Sequence, residues 1–148
     1  MIIQEWFKLG MDRDIPQIKD MPLEGTVLNI GAGNKKIPGT IALDLPEWDA
    51  NRMPIPYHDG SIIGIHCYHF LEHINDPISM LIEFQRVLKP QGIVSIVVPY
   101  YSAQIACQDL QHKHFFTEET WKTLFSNPYY KAAGQHEWKF RIGANFIL

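Results

Sequence analysis

The chain has 148 residues, the size of one domain, and its 46% hydrophobic and 20% charged residues are typical of a globular protein. The formal net charge is −3 and no long basic run is present, so we expect no nucleic-acid partner. The apolar runs are far shorter than the ~20 residues of a membrane span, and the N-terminus has no signal-like apolar segment. The two cysteines, Cys67 and Cys107, fit reduced thiols. We therefore expect a cytoplasmic protein without membrane contact.

Residues 1–25 are predicted to be a lead-in segment, with one short helix near Ile2–Leu9, within a single domain that spans residues 1–148. Short β-branched apolar runs then predict buried strands. The predicted strands are Thr26–Ile30, Thr40–Asp44, Ser61–Cys67 and Ile93–Val98. Residues 45–60 contain three prolines and are predicted to be a loop.

A helix is predicted over Pro77–Lys89, because apolar residues recur there at helical spacing and Asp76 is a favourable N-cap. A second helix is predicted over Thr117–Phe125. The tail is predicted to form two short strands separated by a glycine, His136–Ile142 and Ala144–Leu148. Strands that alternate with helices predict an α/β fold with a parallel sheet, whose ligands bind at the carboxyl ends of the strands.

The first predicted strand ends in the glycine loop Gly31-Ala32-Gly33, which either brings backbone amides close to a ligand or is a plain tight turn. A dinucleotide fingerprint needs a third glycine where Lys36 stands, which argues against NAD or FAD. Asp44 ends the next strand, where its carboxylate could accept hydrogen bonds from both hydroxyls of a ribose. It follows Gly33 by 11 residues, so the connection is too short for a full crossover helix.

Five segments, taken in order and at their spacing, closely resemble the type-11 class I methyltransferases, in a subgroup with a short first crossover. They are Leu28–Gly33, Leu43–Leu45, Ile55–Ile62, His69–His73 and Phe84–Gly92. The resemblance covers about residues 26–101. It implies a Rossmann-like sheet, mostly parallel with an antiparallel C-terminal strand, and S-adenosylmethionine as cofactor, with S-adenosylhomocysteine as product. The chain ends within the predicted last strand, so we expect a fold that is either compact or truncated at its C-terminus.

The resemblance also implies roles for individual residues. Gly31 and Gly33 would line the methionine part of the cofactor, Asp44 would bind the ribose, and Leu45 would pack on the adenine. Asn51 stands where the family usually has an acid that contacts the adenine amino group, and its amide oxygen can accept the same bond. The complete predicted cofactor-binding set is Asn29, Gly31, Ala32, Gly33, Asp44, Leu45, Asn51, Arg52, Tyr68 and His69.

Histidines and tyrosines that follow the later strands are the candidate catalytic and substrate residues. The predicted catalytic residues are His69, His112 and His114, because histidine titrates near neutral pH and can act as a general base. His112 and His114 could equally be polar loop residues that anchor the start of the next helix. Tyr100 and Tyr101 are predicted to shape the substrate pocket.

The segment His69–His73 matches the HxxEH pattern of inverted zinc proteases. That chemistry needs both histidines on one helix, whereas this segment is predicted to leave a strand and precede the N-cap Asp76. A divalent ion held by His69, Glu72 and His73 is an alternative. We prefer the interpretation that Glu72 and His73 cap and pack the turn, and we predict no metal.

The sequence therefore predicts methyl transfer from S-adenosylmethionine to a small-molecule or sugar-like acceptor. One alternative is a non-catalytic module that binds adenosylmethionine or a partner on the same fold. It is motivated by the short chain and by Ile63, which stands where the family usually has an Asp. A nicotinamide-dependent enzyme is the other alternative.

Overall fold

The computed structural model describes residues 2–6, 24–52, 54–126 and 141–145. The strands in these residues are β1 (Ile2–Trp6), β2 (Thr26–Ile30), β3 (Ile41–Leu43), β4 (Ile62–Tyr68), β5 (Leu88–Val97) and β6 (Arg141–Asn145). The helices are α1 (Pro77–Val87), α2 (Gln104–Gln108) and α3 (Glu118–Ser126), with a 3-10 turn at Ala50–Arg52. No helix in the described part of the chain is long and apolar enough to cross a membrane.

The six strands form one sheet in the order β3-β2-β4-β5-β1-β6, and every neighbouring pair is parallel. From β2 the chain turns first to β3 on one side and then to β4 on the other. Such a reversal of direction leaves a crevice beyond the carboxyl ends of the two central strands, where open α/β sheets bind their ligands. The Rossmann-like α/β class predicted from the sequence is confirmed.

The central strands carry continuous apolar runs because both faces of a parallel sheet are covered. Side chains of β2, β4 and β5 that have no solvent exposure include Leu28, Ile30, Ile65, Cys67 and Ile96. Helix α1 packs Met80, Leu81 and Phe84 into the same core.

Helix α1 begins as the sequence predicts. The Asp76 carboxylate accepts a hydrogen bond from Ser79 N at 3.0 Å, with Pro77 in the first turn. The helix ends at Val87 rather than Lys89, because Leu88 already pairs with Ile62 of β4.

Arg86 joins helix α1 to the loop that leads into β4. Its guanidinium donates to the Glu83 carboxylate, to Asp59 Oδ1 at 2.8 Å, and to the carbonyl oxygens of Ile55 and Tyr57. The hydrogen bond from Arg86 lowers the pKa of Glu83 and in turn raises the pKa of Arg86. Glu83 also accepts a hydrogen bond from Ile55 N at 2.8 Å. The Glu83–Arg86 ion pair therefore holds this loop at Ile55, Tyr57 and Asp59.

Two sequence predictions about the termini are wrong. Ile2–Trp6 is a strand and not the start of a helix, because it pairs with β5 from Ile2↔Ile93 to Glu5↔Ile96. The C-terminal strand β6 is parallel to β1, not antiparallel to its neighbour. The long chain between β5 and β6 gives room for the crossover that a parallel pairing requires.

The tail also differs in its extent. β6 runs without a break through Gly143, where two separate strands were predicted. The remainder of those two predicted strands, residues 136–140 and 146–148, lies outside the described residues. Helix α2 was not predicted.

Candidate functional site

A cavity of about 550 Å³ opens at the carboxyl ends of β2, β3 and β4. Each of these strands contributes a lining residue just past its end, namely Gly31, Asp44 and His69. The full lining is Gly31, Asp44, Leu45, Trp48, Asp49, Ala50, Asn51, His69, Phe70, His73, Ile74, Leu110, Gln111 and Lys113. Five of the ten predicted cofactor residues line this cavity, namely Gly31, Asp44, Leu45, Asn51 and His69. The other five, Asn29, Ala32, Gly33, Arg52 and Tyr68, do not line it.

Asp44 links the end of β3 to the glycine loop. Its Oδ2 accepts a hydrogen bond from Gly33 N at 2.6 Å, and its Oδ1 accepts one from Leu45 N at 2.8 Å. A carboxylate offers about four acceptor positions. Two therefore remain on a partly exposed side chain at the cavity wall, which suits donors such as the hydroxyls of a ribose.

The two glycines of the loop are needed for different reasons. Gly31 has φ +66°, and a Cβ added there would lie 2.2 Å from Cδ2 of Phe70, so the ring packs directly against the backbone. Gly33 has φ +49°, but a Cβ there would meet nothing within 4 Å. Gly31 thus makes room for the Phe70 ring that lines the cavity, whereas Gly33 supplies only a left-handed turn.

Asn29, near the end of β2, stabilises the glycine loop through a side-chain hydrogen bond. Its side chain is almost fully buried, and its Nδ2 donates to the carbonyl of Lys35 at 3.0 Å. Lys35 N in turn donates to Ala32 O at 2.9 Å, which closes the turn. Asn29 and the buried Ala32 therefore support the loop without lining the cavity.

The predicted adenine side of the cavity is built by the loop after β3. Leu45 is 66% exposed at its rim, while Trp48 packs against the core and donates from Nε1 to Pro54 O at 3.1 Å. Asn51 Oδ1 accepts from Asn75 N at 2.9 Å, which ties this loop to the segment after β4. Leu45 and Trp48 both line the cavity, and such apolar surface can be covered by a flat ring.

At the end of β4, His69 enters the cavity but Tyr68 does not. His69 has φ +53° and a half-exposed side chain, and its Nδ1 lies 3.4 Å from Glu72 Oε1. The Tyr68 hydroxyl instead contacts His66 Nδ1 at 2.9 Å and Ser95 Oγ at 3.0 Å. Burial raises the pKa of Tyr68 and lowers the pKa of His66.

The predicted substrate tyrosines and the two later histidines lie outside this cavity lining. Tyr100 donates from its hydroxyl to Glu118 Oε2 at 2.9 Å, and that bond raises the pKa of Tyr100. Tyr101 is half exposed beside it. His114 lines a second cavity of about 480 Å³ next to α3, and His112 is bonded to the end of α2.

Several lining residues were not predicted from the sequence. Phe70 and His73 lie inside the HxxEH segment, and Trp48 follows Asp44 in the loop, so proximity to predicted residues was the available signal. Leu110, Gln111 and Lys113 lie beside the predicted residue His112, which does not itself line the cavity. They reach the cavity because Lys113 N donates to Glu72 O at 2.7 Å.

Residues 27–96, from β2 to near the end of β5, match the family model described as a methyltransferase domain. Over this segment the chain is similar to the class I methyltransferases, a family that uses S-adenosylmethionine as methyl donor. Comparison with the curated proteins and with the solved structures found no match.

The cavity fits this methyl donor on three structural grounds. Its volume lies within the range of small-ligand pockets, roughly 300–1,000 Å³. Asp44 retains acceptor positions for ribose hydroxyls, and Leu45 presents exposed apolar surface in the same cavity lining as Trp48.

Proposed function

We propose that this cavity binds S-adenosylmethionine and that the protein transfers the methyl group to a small-molecule or sugar-like acceptor. The observation that carries the proposal is the Asp44 carboxylate, which is fixed by the amides of Gly33 and Leu45 and faces the cavity with acceptor positions to spare. Asp44 would bind the ribose, Leu45 would cover the adenine, and Gly31 would border the methionine part.

The bound donor supplies an electrophilic methyl group on a sulfonium. The chain contributes mainly position, because holding two reactants in line replaces a bimolecular encounter. The Phe70 ring lines the cavity with apolar surface, and Leu110 adds an exposed apolar side chain at its rim. Of the three histidines predicted as catalytic residues, His69 is the one at this cavity, and we propose that it contacts the acceptor.

A polar small molecule suits the part of the cavity that Gln111 and Lys113 line. Gln111 and Lys113 bring an amide and an ammonium group to this part, and Lys113 Nζ is oriented by a 2.7 Å bond to Asn75 Oδ1. Hydroxyl-rich acceptors can use both groups as hydrogen-bond donors. The net charge of −3 gives no general attraction for nucleic acid.

The test is transfer of a radiolabelled methyl group from the donor into a cell extract, which is separated afterwards into small molecules, protein and nucleic acid. We expect label in the small-molecule fraction with the wild-type chain and none with Asp44→Ala. Label confined to protein or nucleic acid would contradict the acceptor class. Measurable donor binding without transfer to any fraction would contradict catalysis and favour the non-catalytic binding module.

A further inference from the structure

Glu72, His73 and His112 form a compact group beside the cavity. Each offers one ligand atom, and these atoms all lie within 4.8 Å of one another. Donor atoms around one tetrahedral Zn²⁺, at roughly 2.0–2.2 Å from the ion, are about 3.4 Å apart. Small rotations of the side chains therefore bring the three ligand atoms to coordination distance.

Glu72 is a buried carboxylate that a bound cation would stabilise. Its side chain is 1% exposed, and neither carboxylate oxygen forms a hydrogen bond among the described residues. The sequence suggested that this carboxylate caps the turn, but without a hydrogen bond it does not. Its ion-pair partner is His69, whose Nδ1 lies 3.4 Å from Glu72 Oε1 on a half-exposed ring. A buried carboxylate without hydrogen bonds is strongly unfavourable unless a positive charge compensates it.

His112 is oriented as a metal-binding histidine would be. Its side chain is 6% exposed, and Nδ1 donates to the carbonyl of Ala106 at 2.9 Å. Because a carbonyl only accepts, the proton is on Nδ1 and the neutral ring presents a lone pair at Nε2. A backbone carbonyl commonly accepts a hydrogen bond from the other ring nitrogen of a metal-binding histidine and so fixes the orientation of the ring. Asp109 Oδ2 is 3.9 Å from Nε2, beyond hydrogen-bond range.

The two segments that supply these ligands are held together by three hydrogen bonds. Lys113 N donates to Glu72 O at 2.7 Å, Lys113 Nζ donates to Asn75 Oδ1 at 2.7 Å, and the His114 ring donates to Ile74 O at 3.0 Å. The rings of His73 and His112 meet edge to face, with their centroids 4.6 Å apart. The ligand group is thus preorganised by the fold rather than by an ion.

We propose that Glu72, His73 and His112 bind a divalent transition-metal ion, with Zn²⁺ as the best-fitting ion. Two imidazoles and one carboxylate are the ligand set of catalytic zinc sites, which keep a fourth position open. His73 also lines the cavity, so the proposed metal site lies beside it. The ligand assignment does not depend on the proposed methyl transfer, because it is tested by metal binding alone.

The experiment titrates Zn²⁺ into the tag-free, chelator-treated full chain by calorimetry. We expect one ion per chain. Loss of a residue that only orients a metal ligand costs up to about 100-fold in metal affinity. Glu72→Gln and His112→Ala remove a ligand itself and should therefore weaken binding by at least about 100-fold. His58→Gln is the matched control, since it removes an exposed histidine far from the site in sequence and should bind like wild type. Absence of stoichiometric binding by wild type, or equal binding by all four proteins, would overturn the proposal.

Two further measurements keep the test decisive if a variant folds poorly. Without metal, Glu72→Gln should melt at the same temperature as wild type or higher, because it removes a buried charge. Zn²⁺ should raise the melting temperature of wild type but not that of Glu72→Gln. X-ray absorption of the wild-type Zn²⁺ complex should show two imidazoles and oxygen ligands. A thiolate ligand, or a shell without imidazole, would contradict the assignment.

Discussion

Gly31→Ala is predicted to be far more destabilising than Gly33→Ala, although the two glycines belong to the same loop. Both have positive φ, +66° at Gly31 and +49° at Gly33, so alanine strains the backbone at each. Only at Gly31 would the new methyl carbon collide with another residue, since it would lie 2.2 Å from Cδ2 and 2.6 Å from Cγ of Phe70. Neither ring atom belongs to a flexible side-chain end that could move aside cheaply.

The expected magnitudes follow from these two terms. A left-handed conformation costs a non-glycine residue about 1–2 kcal/mol, and this is the whole cost at Gly33. Overpacking adds roughly 1–3 kcal/mol at Gly31. Gly31→Ala should therefore lower the free energy of unfolding by about 2–5 kcal/mol in total, the sum of the two contributions.

The assay is urea unfolding of wild type, both single variants, Phe70→Ala, and the double variant Gly31→Ala/Phe70→Ala. Removing the ring should reduce the extra cost of alanine at Gly31 without abolishing it. The contacts at 2.2 and 2.6 Å are then gone, but Cβ of residue 70 would still lie 2.8 Å from the new methyl carbon. Equal costs of Gly31→Ala and Gly33→Ala in the wild-type background would refute the packing of Phe70 on the glycine loop. An unchanged cost of Gly31→Ala in the Phe70→Ala background would refute it as well.

Three further predictions concern carboxylates. Asp44→Ala should raise the dissociation constant for S-adenosylhomocysteine at least tenfold in calorimetry, by loss of charge-assisted bonds, whereas Glu47→Ala, at an exposed acid outside the cavity lining, should not change it. Glu83→Gln should cost about 1–2 kcal/mol of unfolding free energy at neutral pH. The hydrogen bond from Arg86 lowers the pKa of Glu83 in the folded protein. The stability that the ionised Glu83 contributes is therefore present above its unfolded-state pKa near 4.5 and is lost as the pH falls through its folded-state pKa. The same urea measurement in acid should therefore show a smaller difference, and an equal one would contradict the ion pair. Asp76→Ala should cost about 1 kcal/mol by thermal or urea unfolding, the typical loss of an N-cap, and no loss would contradict the cap.

The parts of the fold that the sequence predicts best are those with strong local patterns. The apolar run of β2, the capped start of α1 and the strand ending at Val97 need only neighbouring residues to be recognised. The strand β1 shows the opposite case. Ile2–Trp6 has no decisive local pattern, and its pairing with β5, more than 90 residues along the chain at Ile2↔Ile93, determines its conformation.

The candidate site likewise contains residues that the sequence predicts and residues that only the tertiary structure reveals. Gly31, Asp44 and His69 were predictable because each follows the carboxyl end of a strand, where ligand sites of parallel sheets lie. That Phe70 fills the space above Gly31 was not predictable, because nothing in the sequence fixes the direction of its ring. His112 reaches Glu72 only through tertiary hydrogen bonds between segments some 40 residues apart, so the HxxEH pattern alone pointed to His69 as a ligand instead.

Calorimetric titration of the wild-type chain with S-adenosylhomocysteine tests the central claim most directly, since the proposed site requires that the reaction product bind whatever the acceptor is. We predict saturable binding of one molecule per chain and no binding of NAD under the same conditions. A folded protein that does not bind S-adenosylhomocysteine, or that binds NAD in its place, would contradict the assignment of the cavity.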